Sequence, residues 1–404
     1  AGGRTMISGD RILRFFGSQG LAALLMLFLL ILTFLGTWEQ KYDGLYQVQK
    51  KYFESWFLIH HLGSVPIPLP GGLLCMIVFS VNLLVGGILR LRVSRRNFGN
   101  FVIHVGIAVM MAAGLVKLVA SDEGYLRLWE NQEASEYISH HQWEIVVFET
   151  NQAAVVEYRI GEDGWKNGNG TSLVSAQPGT SDRNPQGLPF GLELTGALTN
   201  CRAMPVGPRW QPDSPAVDGW ALMKLDPESE NERNTPGLLV RMQPTADQDI
   251  PAQQALLWGG QNYPWTFVVQ DRTFAMVLRK VRHSMPFSIR LDNFEKVDHP
   301  GIATAKEFRS DVTQNSQGAD RQIRIEMNDP LRDQGLVLFQ SSWGPSNAGP
   351  GDDLYSVFAV VRNPSDYWPL YSCIVIAVGM AIAFIQKFLK YSKRQTRMTS
   401  ERAS

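Results

Sequence analysis

The sequence predicts a membrane protein of the α + β class: four transmembrane helices, with a large antiparallel β-rich extracytoplasmic domain between the third and the fourth. Three observations carry this expectation. Four apolar runs, near residues 19–38, 70–91, 99–119 and 369–389, are each long enough to cross roughly 30 Å of hydrocarbon as a helix. The stretch between the third and fourth runs is polar and long enough to bury a core of its own. Within it, apolar residues recur at period two, the pattern of half-buried strands.

The expected domains follow. Residues 1–120 form an N-terminal membrane part with helices at about 19–38, 70–91 and 99–119 and an outer interfacial segment at 39–69. Residues 121–367 form the extracytoplasmic domain, and residues 368–404 the fourth helix with a basic cytoplasmic tail. The first run is too long for a cleaved signal peptide and lacks a small-residue cleavage site.

Short loops set the orientation. Arg4, Arg11 and Arg14 precede the first run, and Arg90, Arg92, Arg95 and Arg96 separate the second from the third. Lys387, Lys390, Lys393, Arg394 and Arg397 end or follow the fourth. The positive-inside rule puts all three clusters in the cytoplasm, together with both termini. The protein is then a multi-pass protein of the inner (plasma) membrane with its large domain on the periplasmic side. Trp38 and Trp368 fall at the outer interface, where amphipathic rings settle.

In the interfacial segment, Tyr42, Tyr46, Tyr52, Phe53, Trp56 and Phe57 recur at spacings of three, four and seven around Lys50, Lys51 and Glu54. This spacing predicts a helix, either lying along the membrane surface or packed beneath the exported domain.

From Trp143 onward the strand-like segments are "WEIVVFE", "AVVEYRI", "LELTGAL", "GLLVRMQ", "WTFVVQD", "FAMVLRKV", "FSIRLDNF", "QIRIEMN", "LVLFQSS" and "SVFAVVR". Turn chemistry such as "QPGTSDRNPQG", "NDPL" and "WGPSNAGPGDD" separates them, with no helical pattern between. An antiparallel sandwich or an open barrel is expected.

Composition narrows the function. Acidic and basic residues balance at 38 each, and there is no nucleic-acid patch, phosphate-cradling glycine loop or nucleophile elbow. Of the three cysteines, Cys75 and Cys373 lie in apolar runs and Cys201 stands alone in the exported domain. Without CxxC or CxxCH, the chain is neither a thiol–disulfide oxidoreductase nor a c-type cytochrome. Cys201 is expected to be dispensable.

His104 is the residue that fits its surroundings least, because an ionisable group inside an apolar span is costly. It falls about 8 Å along the third run, where Gly99, Gly106, Ala108, Ala112, Ala113 and Gly114 leave room for a close helix or a flat ligand. Two readings stand: a hydrogen bond across helices, for example to Asn82, or coordination of a ligand. His140, His141, His283 and His299 read as surface or packing residues and match no zinc spacing.

Segments spread over most of the chain resemble the ResB-like (CcsB) membrane proteins of cytochrome c maturation. They are "TWEQKYDGLYQVQKKYFESW", "RNFGNFVIHVGIAVMMAAGL", "SDEGYLRLWENQ", "MPFSIRLDNFEKVDHPG", "EFRSDVTQ", "RIEMNDPLRDQGLVLFQSSWGP" and "VVRNPSDYWPLYSCIVIAVGM". The resemblance is weak over residues 150–280. It implies a component that works with a ResC/CcsA-type membrane protein to export haem and present it for thioether attachment to apocytochrome c. The chain's eleven tryptophans are scattered, so it resembles the ResB half alone. It would be at most a non-catalytic or ligand-supplying subunit of a cytochrome c haem-lyase complex, and the alternative is a haem-free scaffold of another membrane complex.

The resemblance also implies roles for residues. His104 matches the family's inner haem ligand, holding haem b transiently, with the second axial ligand from the partner. His60 and His61 are weaker haem-binding candidates at the outer end of the interfacial segment, and the arginines at 90–96 could steer haem propionates as well as set topology. The implied partners are the ResC/CcsA-type protein, apocytochrome c, haem and the lipid bilayer, with no nucleic acid.

Overall fold

The computed structural model describes residues 9–91, 93–95, 97–150, 156–166, 177–178, 188, 190–208, 210–244, 253–301, 305–345, 348–349 and 352–403. Arg4, Arg92 and Arg96 of the basic clusters lie outside these residues, as does the expected turn at 177–187 apart from Gln177–Pro178. The chain divides into two compact units, one of Ala1–Ser121 with Asn363–Ser404, the other of Asp122–Arg362.

The first unit is helical. Helix α1 (Gly9–Phe16) leads into α2 (Gln19–Val48), capped by the Ser18 hydroxyl accepting from the Leu21 N–H. Four stretches are long and apolar enough to cross a membrane: Gln19–Phe53, Gly72–Leu89, Phe98–Ala120 and Trp368–Thr396. They comprise α2 with a π-helical turn Gln49–Phe53, α3 (Gly72–Asn82) with a π-helical segment Leu83–Leu89, α4 (Phe98–Ala120) and most of the last helix (Trp368–Ala403).

Glycines set the helix contacts. A side chain at Gly99 would run into the backbone of Ala383; one at Gly106 would meet Ile376 at 2.6 Å, and one at Gly379 the Ile103 nitrogen at 2.8 Å. Small residues thus let α4 and the last helix approach backbone to backbone, the close packing that small residues allow between helices. Ser365 adds a hydrogen bond from its hydroxyl to the Ala113 carbonyl (2.9 Å).

The interfacial helix needs correction. Helical structure ends at Phe53, with a break at Gly44 (φ 73°, ψ 166°). Residues beyond it form a hairpin, β1 (Phe57–Leu62) against β2 (Val65–Pro70), turning at Gly63. Pro66, Pro68 and Pro70 cannot donate to a helical ladder, and alternate prolines fit a strand whose N–H groups face away from a partner.

The second unit is antiparallel throughout. Its strands are β3 (Asp122–Trp129), β4 (Glu133–Glu149), β5 (Glu157–Gly161), β6 (Gln177–Pro178), β7 (Phe190–Leu198), β8 (Cys201–Pro205), β9 (Trp220–Lys224), β10 (Gly237–Pro244), β11 (Gln253–Trp258), β12 (Trp265–Val269), β13 (Arg272–Asp298), β14 (Ala305–Ser316), β15 (Ala319–Glu326), β16 (Leu331–Asp333), β17 (Leu336–Gly344) and β18 (Tyr355–Arg362). The main sheet runs β15-β14-β13-β4-β3-β18-β17-β16, with β12 also on β13 and β5 on β4; β11-β10-β7 and β8-β9 are separate. Helical turns at Asp163–Lys166 and Asn231–Arg233 interrupt the strands, contrary to the expectation of none.

Two cores show that sandwich and barrel each describe part of the unit. In the first, Ile145, Val147, Phe274 and Met276 of the main sheet pack against Leu192, Leu194, Leu238 and Val240 of the smaller one, as in a sandwich. In the second, Ile289 and Leu291 of β13, Ile325 of β15, Leu338 of β17 and Phe358 of β18 share one cluster, so the sheet curls on itself. The 27-residue β13 runs through both cores, where the sequence suggests two strands. Register shifts against β4 between Lys280 and Arg282, and between Ser284 and Ile289, absorb Pro286 without ending the strand.

Cys201 is buried with its sulfur facing Gly237, and burial pushes its thiol up to about 12. A thiol this hard to ionise is a poor nucleophile. Alkylation of Cys201 in the folded chain at mildly alkaline pH is expected to be negligible, and Cys201→Ala should accumulate normally. Mass-spectrometric mapping that found rapid labelling there, before denaturation, would contradict this.

Candidate functional site

Contacts fix two ends of the helical unit. At one end the backbones of Gly17 and Gly86 touch, and a Cβ on Gly87 would meet the His104 ring carbons at 2.9 and 3.0 Å. At the other, Gly72 at the start of α3 sits against Tyr52 and Phe53. From Gly72 to Gly87 the rise is about 22 Å at 1.5 Å per residue.

His104 lies on α4 with its ring against the π-helical segment, where Gly87 admits it. Such π-helical insertions recur at functional sites. Its Nδ1 is buried and has no hydrogen-bond partner among the described residues. Leaving a polar atom so costs about 1–3 kcal/mol.

Asn82 does not supply one. Its amide donates to the carbonyls of Phe16 (2.5 Å) and Ser18 (2.9 Å), tying α3 to the corner between α1 and α2. The hydrogen-bonded reading of His104 through Asn82 is therefore not the arrangement found.

A cleft of about 920 Å³ opens between α2, α3 and α4. On α4 it begins at Ala108, one turn beyond His104, and runs past Met111 to Leu118; Thr37, Gln40, Gln49 and Glu54 give it a polar rim. Of the small residues expected to make room in α4, Gly99 and Gly106 serve the last helix, whereas Ala108, Ala112 and Gly114 line the cleft. Its volume and mostly apolar lining are those of a small-molecule pocket.

His60 lies at the opposite end, in a group that sequence reasoning missed. Glu39 of α2 accepts from Lys51 and from the Tyr52 hydroxyl, and the Tyr52 oxygen is 2.6 Å from His60 Nδ1. Tyr52 is fully buried. The break at Gly44 and the π-helical turn fold Tyr52 back on Glu39, a relation no periodicity encodes. The only signal was the density of polar and aromatic residues in "TWEQKYDGLYQVQKKYFESW". His61, next to His60 on β1, is exposed and does not join this group.

Three of the other histidines pack. His283 stacks on Tyr137 (5.0 Å between centroids), His140 lies against Tyr125 (5.4 Å), and His141 is 3.4 Å from the Asn231 amide. Burial lowers the His141 pKa. His299 is exposed. Arg90 donates to the Leu13 carbonyl (3.2 Å), which anchors α1. Among the described residues no three His, Cys, Asp or Glu side chains gather to hold a metal ion, so a metal at His104 must bring its other ligands with it.

The ResB-like family matches residues 257–351, from the end of β11 to the loop before β18, so this stretch is similar to that family. This segment lies within the β unit and includes neither His104 nor His60. No curated protein matches the chain.

Proposed function

Taking the chain as ResB-like, we propose that it is the ResB-type component of cytochrome c maturation, working with a ResC/CcsA-type membrane protein to export haem and present it to apocytochrome c. The observation that carries this is the buried, unpartnered nitrogen of His104 beside Gly87. Haem iron is a partner for such a nitrogen, and the porphyrin supplies four of the remaining ligands. The second axial ligand comes from the partner protein.

In this reading haem is cargo. His104 holds it by one bond that a competing ligand can replace, the cleft shields the macrocycle from water, and Asn82 keeps the π-helical segment in place behind the imidazole. The basic clusters lie in the cytoplasm and the β unit outside, where it holds the apocytochrome. The chain performs no bond-making step of its own; the thioether bonds form on the partner's side of the complex.

The alternative, a haem-free scaffold, draws on the location of the family match wholly within the β unit. Absorption spectra of the full chain purified from membranes, alone and with its co-expressed partner, separate the two. A Soret band in stoichiometric proportion to the complex is expected, and its absence from both preparations would leave the scaffold.

A further inference from the structure

The β unit carries a cavity of its own beside β11, formed wholly by residues of that unit. It holds about 360 Å³, and three indoles, those of Trp220, Trp258 and Trp265, line it with Leu256, Gln261 and Asp218. Two of the indoles are held in place: the Trp258 ring N–H donates to the Cys201 carbonyl (2.9 Å), and Trp265 stacks on Phe267 with 4.5 Å between centroids. Trp220 is 48% exposed. It pairs with Val217 across a two-residue turn whose central residues, Asp218 and Gly219, both have positive φ (49° and 78°), the backbone of a tight hairpin turn. The turn keeps Asp218 at the cavity, where it is exposed and forms no ion pair among the described residues.

Such a set has a defined chemistry. Indole faces attract a cation through their negative quadrupole, arginine most often because its planar guanidinium stacks on the ring. A carboxylate without a partner beside them adds a charge-assisted hydrogen bond. A cavity near the small end of the ligand-pocket range, roughly 300–1,000 Å³, takes one side chain rather than a cofactor. The adjoining backbone indicates how that side chain arrives. Among the described strands β11 pairs with β10 alone. The Gly259 N–H bonds the Pro236 carbonyl (2.9 Å), and bonded pairs alternate along an antiparallel ladder. At Leu256, whose partner in register is Leu239, the N–H and carbonyl therefore point away from β10. Leu256 also lines the cavity, so an unpaired strand edge and a cation-binding set of indoles lie side by side.

We propose that this edge docks an extended segment of a partner polypeptide by strand addition to β11, with an arginine side chain of that segment among Trp220, Trp258 and Trp265 and against Asp218. Main-chain bonds to the edge supply affinity, and the cavity supplies the choice of side chain. The site is separate from the haem reading, which neither carries it nor falls with it.

The test is fluorescence anisotropy of a short, labelled, end-blocked peptide of alternating threonine and valine with one central arginine, titrated with the purified full chain in a neutral detergent. Saturable binding is expected. Replacing the arginine by citrulline, its neutral isostere, should weaken it about 10-fold, and N-methylating alternate amides of the peptide should abolish it. Asp218→Asn keeps a residue that tolerates positive φ; it should weaken the arginine peptide about five-fold and leave the citrulline peptide unchanged, a distinction that loss of the fold would not produce. Trp220→Ala should weaken the arginine peptide about 10-fold or more. No saturable binding to wild type, equal affinity for the citrulline peptide, or binding indifferent to both Asp218→Asn and Trp220→Ala would overturn the proposal. So would equal binding of the N-methylated peptide, which would leave a cation pocket without strand addition.

Discussion

Arg279→Met is expected to destabilise the β unit by about 3–5 kcal/mol, the usual cost of stranding one member of a buried ion pair. Arg279 joins three strands: its Nε donates to Glu144 (3.0 Å) on β4, and its two terminal nitrogens donate to Glu157 on β5 at 3.0 and 2.6 Å. Glu144 is 5% exposed and Arg279 is its only ion-pair partner among the described residues, whereas Glu157 keeps Arg159 at 2.8 Å. For a unit of this size the midpoint of thermal unfolding should fall by roughly 6–20 °C, read by circular dichroism on the full chain in detergent. The double variant Arg279→Met with Glu144→Met removes both charges and should recover most of the loss. A double variant no more stable than the single one would show that burial of Glu144 is not the cause.

The same cluster sets an acid limit. Burial pushes the Glu157 carboxyl up, but hydrogen bonds from Arg279 and Arg159 outweigh it and hold the folded-state pKa below the ordinary value of 4.5. A group depressed in the folded state stabilises fully above its unfolded value. The stability Glu157 contributes is therefore present at neutral pH and is lost as pH falls below 4.5 and through the depressed value.

The apolar runs are legible because crossing hydrocarbon demands about twenty apolar residues whatever the neighbours do. Strands such as β12 and β18 are legible because one face is buried and the other is not. β14 escaped, since in "EFRSDVTQ" the buried positions include Ser310 and Gln314, satisfied by Gln340 and Asp333, while on the other face Arg309 pairs with Glu307 and Asp311 with Arg324. A strand whose inward face is partly polar carries no period-two signal. The β1–β2 hairpin escaped for a different reason: aromatic spacing on the helical side of Phe53 was extended past the π-helical turn that ends it.

At the site, His104 stood out because a lone imidazole in an apolar span is anomalous in any context. Its setting was not legible. That Asn82 turns toward the α1–α2 corner, and that Gly87 rather than an α4 glycine cradles the ring, depend on how the helices pack. The Glu39–Tyr52–His60 group was less accessible still, because a kink, a π-helical turn and a hairpin together create it.

The second large effect belongs to His104→Ala. If the imidazole were only packed against the π-helical segment, its removal would take away an unpaired nitrogen and a few contacts, cost about as little as an average polar contact in a membrane bundle, near 0.6 kcal/mol, and leave haem untouched. If it is an axial ligand, its loss opens a coordination position on iron. The most direct measurement is the Soret spectrum, per mole of protein, of His104→Ala and wild type co-expressed with the ResC-type partner, each with and without imidazole. The account predicts that the variant accumulates normally, that its band is lost or becomes high-spin, and that imidazole restores both the band and the yield of cytochrome c. An unchanged band in His104→Ala would contradict it.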